Sequence, residues 1–208
     1  TNVIKIIGVQ KLKDTGYKVM QDRIEAGTLL CAGAITGGNI CLNYKNANHI
    51  TPILNKLEEA GCNIKVEKNR IYMQAPKKLK AVDIKTMPYP GFPTDMQSIF
   101  ASILTTAKGT SVIVENIFEN RYRYTAELNK MGAKITTERK TAVIKGVRKL
   151  SGATVKSTDL RGGASMILAG LCAKGMTTVT NIEYILRGYE NLDKKLNELG
   201  AKISIQKE

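Results

Sequence analysis

Asp95 is the residue whose setting points most directly to chemistry. It follows Pro88-Tyr89-Pro90-Gly91-Phe92-Pro93-Thr94 and precedes Met96, Ile99, Phe100, Ile103 and Leu104, which recur at helical spacing. Three prolines between Pro88 and Pro93 exclude a regular helix and a central strand there. A stiff loop therefore delivers Thr94 and Asp95 to the mouth of a helix. Either side chain can cap exposed backbone N–H groups. A carboxylate fixed in that place is also a candidate base, or ligand, for a substrate hydroxyl. A lone aspartate is more often a cap, but three prolines are a heavy constraint to place on a cap, and they tip the reading towards function.

Two further aspartates precede apolar helical runs, Asp22 before 24–34 and Asp159 before 160–173. Read from the sequence, the three occupy equivalent places at three helix N-termini. Such termini attract anions through free N–H groups and the macrodipole. Arginines accompany them: Arg23 beside Asp22, Arg161 near Asp159, and Arg121 and Arg187 after the second strands of their segments. The planar guanidinium suits phosphate and carboxylate. Any one Asp–Arg pair reads as a cap with a surface ion pair of little worth. Several converging beside a stiff loop are better explained by an anionic small ligand. Gly162-Gly163, at the start of the third apolar helix, either admits a ligand or lets helices pack, and both readings stand. No G-x-x-x-x-G-K-[ST] occurs and no G-x-G-x-x-G follows a strand, which argues against a P-loop and a dinucleotide site.

These residues need a scaffold, and the chain repeats itself to provide one. The phrase L-x-x-x-G-[AC]-x-I runs from Leu57, Leu128 and Leu196. Each is a helix end, a glycine able to take the left-handed cap conformation (Gly61, Gly132, Gly200) and a strand start. The period is about seventy residues. Upstream, each copy offers a strand (18–21, 82–86, 154–158), an aspartate, an apolar helix and a glycine turn at Gly37-Gly38, Gly109 or Gly175. A strand ending in Asn43, Asn116 or Asn181 and an amphipathic helix follow, and two copies add a strand at 70–74 or 141–147. The pattern predicts an α/β fold of three β-α-β-α-β-β units, about 13–76, 80–148 and 149–208, in one domain. The units pack around a pseudo-threefold axis with the apolar helices buried at the centre. The third copy runs out before its last strand, while Ile6–Leu12 matches Ile144–Leu150. Segment 1–9 is therefore expected to form a strand beside 202–206 and complete the third unit.

The composition is that of an ordinary soluble globular chain, 43% hydrophobic and 24% charged over 208 residues. No apolar run approaches the ~20 residues that span a bilayer, so no membrane partner is expected. The sequence lacks an initial Met, and its first residues lack a signal peptide's apolar block; the chain reads as a piece of something longer. Cys31, Cys41, Cys62 and Cys172 form no C-x-x-C pair and there is one histidine, His49. That argues against a zinc site, and reduced buried thiols are the reading. The formal net charge of +14 calls for an anionic partner. The lysines are dispersed, with few aromatics between them, which weakens a nucleic-acid reading.

Several of these stretches together resemble a known family. Pro88–Gln97, Ile117-Phe118-Glu119-Asn120-Arg121, Leu150-Ser151-Gly152-Ala153, Thr158-Asp159-Leu160-Arg161 and Arg187-Gly188-Tyr189-Glu190 are similar to the second half of the UDP-N-acetylglucosamine 1-carboxyvinyltransferases, the MurA type of enolpyruvyl transferase. The resemblance covers essentially the whole chain. It implies an inside-out α/β barrel and transfer of enolpyruvyl from phosphoenolpyruvate to the 3-hydroxyl of UDP-N-acetylglucosamine, with release of phosphate. That is the first committed step of peptidoglycan precursor synthesis in the bacterial cytoplasm, and it needs no metal or cofactor. Asp95 matches the aspartate that meets the sugar hydroxyl and serves as its base. Ile117 matches a position whose backbone contacts the nucleotide sugar. Arg187 matches an arginine at the phosphate of phosphoenolpyruvate. Asp159 and Arg161 match residues of the same wall, and Arg121 joins the substrate-binding set.

The chain also departs from that pattern. The family's other half carries the proton-donor loop cysteine, a Lys-Asn pair that binds both substrates and an arginine loop for the nucleotide, and none has a counterpart here. Leu186 stands where an aspartate often precedes Arg-Gly-Tyr-Glu, and Gly162-Gly163 replaces an Ala-containing pair. The expectation is a half-enzyme, inactive without its missing N-terminal half, because positioning is most of such a catalyst's work. The alternatives are an enolpyruvyl transferase acting on a different alcohol and a non-catalytic basic binding module.

Overall fold

The structure is a computed structural model that describes residues 3–206; residues 1, 2, 207 and 208, at the outer edges of the expected first and last strands, lie outside the described residues. Three helices form its centre. They are α1 (Arg23–Thr36), α3 (Gln97–Leu104) and α5 (Leu160–Cys172), and each packs on the other two. Every residue of α3 is buried. These helices carry apolar residues nearly all round, so only an interior position removes that surface from water. Their contact is close: a Cβ on Gly27 of α1 would sit 2.9 Å from the Met96 methyl. A Cβ on Gly163 would meet Ser157 Oγ at 2.3 Å and Ile185 at 2.5 Å, and one on Gly162 would meet Thr158 Oγ1 at 2.8 Å. The glycine pair at the head of α5 therefore serves packing.

Around this centre lie three sheets, one per copy of the repeat. The first contains β1 (Asn39–Asn43), β2 (Asn63–Glu67) and β3 (Arg70–Gln74) in the order β1-β3-β2, all antiparallel. The second contains β4 (Ile84–Lys85), β5 (Thr110–Val114), β6 (Lys134–Glu138) and β7 (Thr141–Lys145) in the order β4-β5-β7-β6, with β4 parallel to β5. Among the described residues the third contains β8 (Thr154–Lys156) and β9 (Thr178–Thr180), parallel to each other. The outer helices are α2 (Thr51–Glu59), α4 (Tyr124–Lys130), the single-turn α6 (Glu183–Leu186) and α7 (Leu192–Glu198). Gly61, Gly132 and Gly200 follow α2, α4 and α7 at φ of 101°, 88° and 99°, the conformation the repeated phrase requires.

The expected closure of the third unit is not formed. Residues 3–22 contain no helix or strand, and Ile4, Ile6, Ile7 and Leu12 are more than four-fifths exposed. The expected strands at 1–9 and 18–21 are therefore absent among the described residues. Residues 201–206 are not a strand either. The end of the chain is nonetheless placed for one. Asn129 grips both backbone groups of Ile135 at the start of β6, at 3.0 and 2.9 Å, and Asn197 grips those of Ile203 at 2.8 Å each. The missing element is a counterpart of β7, which in the second sheet lies between β5 and β6.

The mistaken closure has a physical origin. In Ile144–Leu150, only the first two residues belong to β7; Gly146 and Val147 then donate to Gly109 O and Thr105 O as the chain leaves the sheet. The matching phrase at Ile6–Leu12 is thus the signature of an exit from a sheet, not of a strand that turns back.

Candidate functional site

The proline loop is built to hold its exit. The Met87 N–H donates to Phe92 O at 3.0 Å and the Gly91 N–H to Pro88 O at 2.8 Å, closing residues 87–92 into a compact turn. Phe92 is buried edge-on against Phe100 of α3, with ring centroids 5.0 Å apart. Tyr89 stays exposed, with the Arg23 guanidinium 5.3 Å from its ring centroid. Pro93 then takes the N-cap position of a single 3-10 turn, Thr94–Met96, that leads into α3.

This corrects the expected equivalence of the three aspartates. Asp22 caps α1, accepting from Ile24 N at 2.7 Å, and Asp159 caps α5, accepting from Arg161 N and Gly162 N. In the second copy a proline holds the capping place, and Asp95 lies inside the turn with no cap to make. Its oxygens turn to arginines instead. Arg121 Nη2 donates to Oδ1 at 2.9 Å and Arg161 Nη2 to Oδ2 at 3.2 Å. The Asp95 side chain remains 40% exposed, whereas those of Arg121 and Arg161 are 12% and 14% exposed.

Both arginines are fixed from behind. The Arg161 guanidinium lies 5.1 Å from the Tyr189 ring centroid, and Arg121 lies 5.0 Å from that of Phe118. The Tyr189 hydroxyl is 2.9 Å from Thr28 Oγ1 of α1, so the third and first copies meet beneath the site. Burial works against the charge on Arg161, but Tyr189 and Asp95 outweigh it and hold its proton more tightly than usual. Burial likewise pushes the Tyr189 phenol up, despite the opposing Arg161. Among the described residues, Arg121 Nε and Arg161 Nη1 are buried without a partner.

The other expected residues make no side-chain bond to Asp95 among the described residues. Arg187 closes α6 and stacks on Tyr184 at 5.6 Å, with no ion pair to Asp95 among the described residues. Asp159 is committed to its cap. Ile117 is 43% exposed, and its N–H donates to Glu115 at 2.8 Å. Among the described residues no group of three or more His, Cys, Asp or Glu is placed to hold a metal ion, and no helix is long and apolar enough to cross a membrane.

Glu115 is the residue sequence reasoning missed. It is 1% exposed and accepts from the hydroxyls of Thr86 (2.7 Å) and Thr94 (2.9 Å) and the N–H groups of Ile117 and Phe118 (2.8 and 3.0 Å). The expected match of Asn43, Asn116 and Asn181 hid it, being out of step with the structure. The Glu115 N–H donates to Lys140 O just as the Tyr44 N–H donates to Asn69 O, each directly after its strand. Glu115 thus corresponds to Tyr44, and Asn181 directly follows β9 in the same way. Aligning the copies on that strand end would have exposed a carboxylate that only one of them carries.

Residues 1–196 match the family described as EPSP synthase (3-phosphoshikimate 1-carboxyvinyltransferase). The UDP-N-acetylglucosamine 1-carboxyvinyltransferase of Desulfofundulus thermocisternus is 52% identical over 204 residues, 98% of this chain and 84% of that protein. The one of Thermodesulfovibrio yellowstonii is also 52% identical over 204 residues, but they make up 49% of its length. The chain spans about half the length of most of the curated relatives it matches. The crystal structure of the enolpyruvyl transferase NikO from Streptomyces tendae superposes with a TM-score of 0.80 at 26% identity, covering 88% of this chain and 44% of that one. An EPSP synthase from Acinetobacter baumannii shares the fold at a TM-score of 0.68 and 21% identity, over 91% of this chain and 45% of that one. With a family match over residues 1–196, nearly its whole length, the chain belongs to the EPSP synthase family.

Proposed function

We propose that this chain is one domain of a UDP-N-acetylglucosamine 1-carboxyvinyltransferase, with units near 13–76, 80–148 and 149–208, acting in the bacterial cytoplasm on a peptidoglycan precursor. The observation that carries the reading is Asp95 at the exit of a rigid loop, part exposed, between two anchored arginines. In the transfer, the sugar 3-hydroxyl oxygen bonds to the enolpyruvyl carbon, the bond from that carbon to the phosphate oxygen breaks, and phosphate departs. Asp95 takes the hydroxyl proton. Arg121 and Arg161 meet the charge on phosphoenolpyruvate and on the departing phosphate, using the donors they now share with Asp95 or leave unpaired. As they turn to the anion, the Asp95 oxygens open to the alcohol. Arg187 and the Ile117 carbonyl extend this wall, while Asp159 acts on it through the cap that fixes Arg161 in the first turn of α5.

The missing half of the longer protein has two structural tasks besides its chemistry. One is to supply the strand beside β9 that the third sheet lacks. The other is to cover the exposed apolar residues of 3–22. Without it the chain has half a cleft and is inactive. The test is phosphate release from phosphoenolpyruvate in the presence of the nucleotide sugar. The chain alone should release none, and the chain joined to a relative's complementary half should turn over. Turnover by the chain alone would refute the half-enzyme reading. The family match, whose description names 3-phosphoshikimate as the acceptor, supports a second reading, transfer to a different alcohol. Competition between UDP-N-acetylglucosamine and other alcohols in the joined enzyme separates the two.

A further inference from the structure

We propose that Glu115 is a positioning residue that ties the loop ending in Asp95 to the turn bearing Ile117 and so sets the width of the site. The proposal rests on the enolpyruvyl-transfer reading for its kinetic consequence, but its geometry stands apart from that reading. Glu115 Oε1 accepts from Thr86 Oγ1, Ile117 N and Phe118 N, and Oε2 accepts from Thr94 Oγ1. Thr86 ends the stretch that enters the proline loop, and Thr94 ends the loop next to Asp95. Ile117 and Phe118 form the turn that leads to Arg121, and the Phe118 ring lies against the Arg121 guanidinium. Asn116 completes the brace, with its N–H on Thr86 Oγ1 at 2.8 Å and its amide on Thr86 O at 3.2 Å. One carboxylate thus joins three segments.

The repeat supplies an internal control. At the corresponding place the first copy has Tyr44, with the same backbone bond to the neighbouring hairpin, and the third has Asn181. The architecture therefore does not require a carboxylate there. A carboxylate 1% exposed is costly to bury unless all its oxygens are engaged, and here they are. Only the copy that presents Asp95 carries it. A carboxylate also suits the place because its two oxygens accept from four donors. A glutamine has one acceptor oxygen and no charge, so the bonds become weaker neutral ones and its amide must donate to the Thr94 hydroxyl where the carboxylate accepted from it.

The test uses Glu115→Gln, Glu115→Ala and Thr94→Val in two measurements. The first is amide hydrogen exchange of this chain. Both Glu115 variants should speed exchange in 87–96 and 116–118 together, while α1, α3 and α5 keep their protection; Thr94→Val should free only the loop. Faster exchange confined to 116–118 in the Glu115 variants, or no change in either segment, would overturn the brace. The second is steady-state kinetics of the chain joined to a complementary half. Misplacing a reacting group by about 1 Å costs on the order of a hundredfold, so Glu115→Gln and Thr94→Val should each lower kcat by about that factor with KM nearly unchanged. Loosened segments with unaltered kcat would overturn the positioning role. If the joined native protein shows no transfer, the functional reading fails, and the exchange result still decides whether Glu115 braces the two segments.

Discussion

Arg161 Nη2 lies 3.2 Å from Asp95 Oδ2 although 66 residues separate the two in the chain. Arg161 sits in the first turn of the third central helix, and Asp95 in the turn that enters the second. The contact exists because the pseudo-threefold packing brings helix beginnings together on one side. Arg121, from the far side of β5, closes the same carboxylate from the other edge at 2.9 Å.

Removing that carboxylate should expose what the arginines are for. Asp95→Ala leaves two largely buried guanidinium groups facing each other without an anion. Discounted for the partial exposure of the site, the loss of stability is about 1 kcal/mol. Millimolar phosphate should raise the thermal midpoint of the variant by more than it raises that of the native chain. Equal shifts would mean that the pair does not receive anions.

Tyr189 joins the third copy to the first, and its two contacts are separable. Tyr189→Phe removes the bond to Thr28 and the hydroxyl's attraction for Arg161 but keeps the ring under the guanidinium; Thr28 retains its own bond to Ile24 O at 2.8 Å. The cost should be about 1 kcal/mol. Tyr189→Ala also opens a cavity and removes the support of Arg161, and should cost about 4 kcal/mol. Chemical denaturation of both variants checks the difference.

The four cysteines should divide by reactivity. Cys41 is exposed on β1. Burial pushes Cys62 and Cys172 up to about 11, and Cys31 well above its ordinary value through burial and the nearby Cys62. At pH 8 an aromatic disulfide reagent should modify Cys41 quickly, the half-buried Cys172 slowly, and Cys31 and Cys62 only after unfolding. The folded state prefers these thiols protonated. Their contribution to stability is therefore full below the unfolded thiol range and is lost as pH rises towards about 11.

Glu127 should produce the opposite dependence at acid pH. Burial alone would raise its carboxyl, but bonds from Lys130 and from the Lys156 backbone outweigh it and hold it below its ordinary value. The bond to Lys156 N ties α4 to β8, one copy to the next. A depressed folded value contributes stability above the unfolded carboxylate range and loses it as pH falls through the folded value. The native chain should lose thermal stability over that acid window, and Glu127→Gln should lose correspondingly less.

Most of the frame was legible because periodicity and glycine caps are local. The L-x-x-x-G phrase located three helix ends, and three apolar runs located the central helices, since a helix without a polar face has one place to go. Partnership was not legible. Ile6–Leu12 shares a phrase with Ile144–Leu150, but the phrase encodes an exit from a sheet and does not say which sheet. The site was half legible for the same reason. Proline spacing pointed to Asp95, while its partners Arg121 and Arg161 come together only through packing. Glu115, with no motif of its own, was visible only by comparing copies in the correct register.

The most direct measurement is the rate of enolpyruvyl transfer in the chain joined to a complementary half, native against Asp95→Asn. A base that takes the alcohol proton is worth about a thousandfold. The variant should lose that much in kcat while its KM for phosphoenolpyruvate stays level or falls, because the arginines no longer share their donors with a carboxylate. An Asp95→Asn enzyme with native kcat would contradict the assignment of this aspartate, and with it the site built around it.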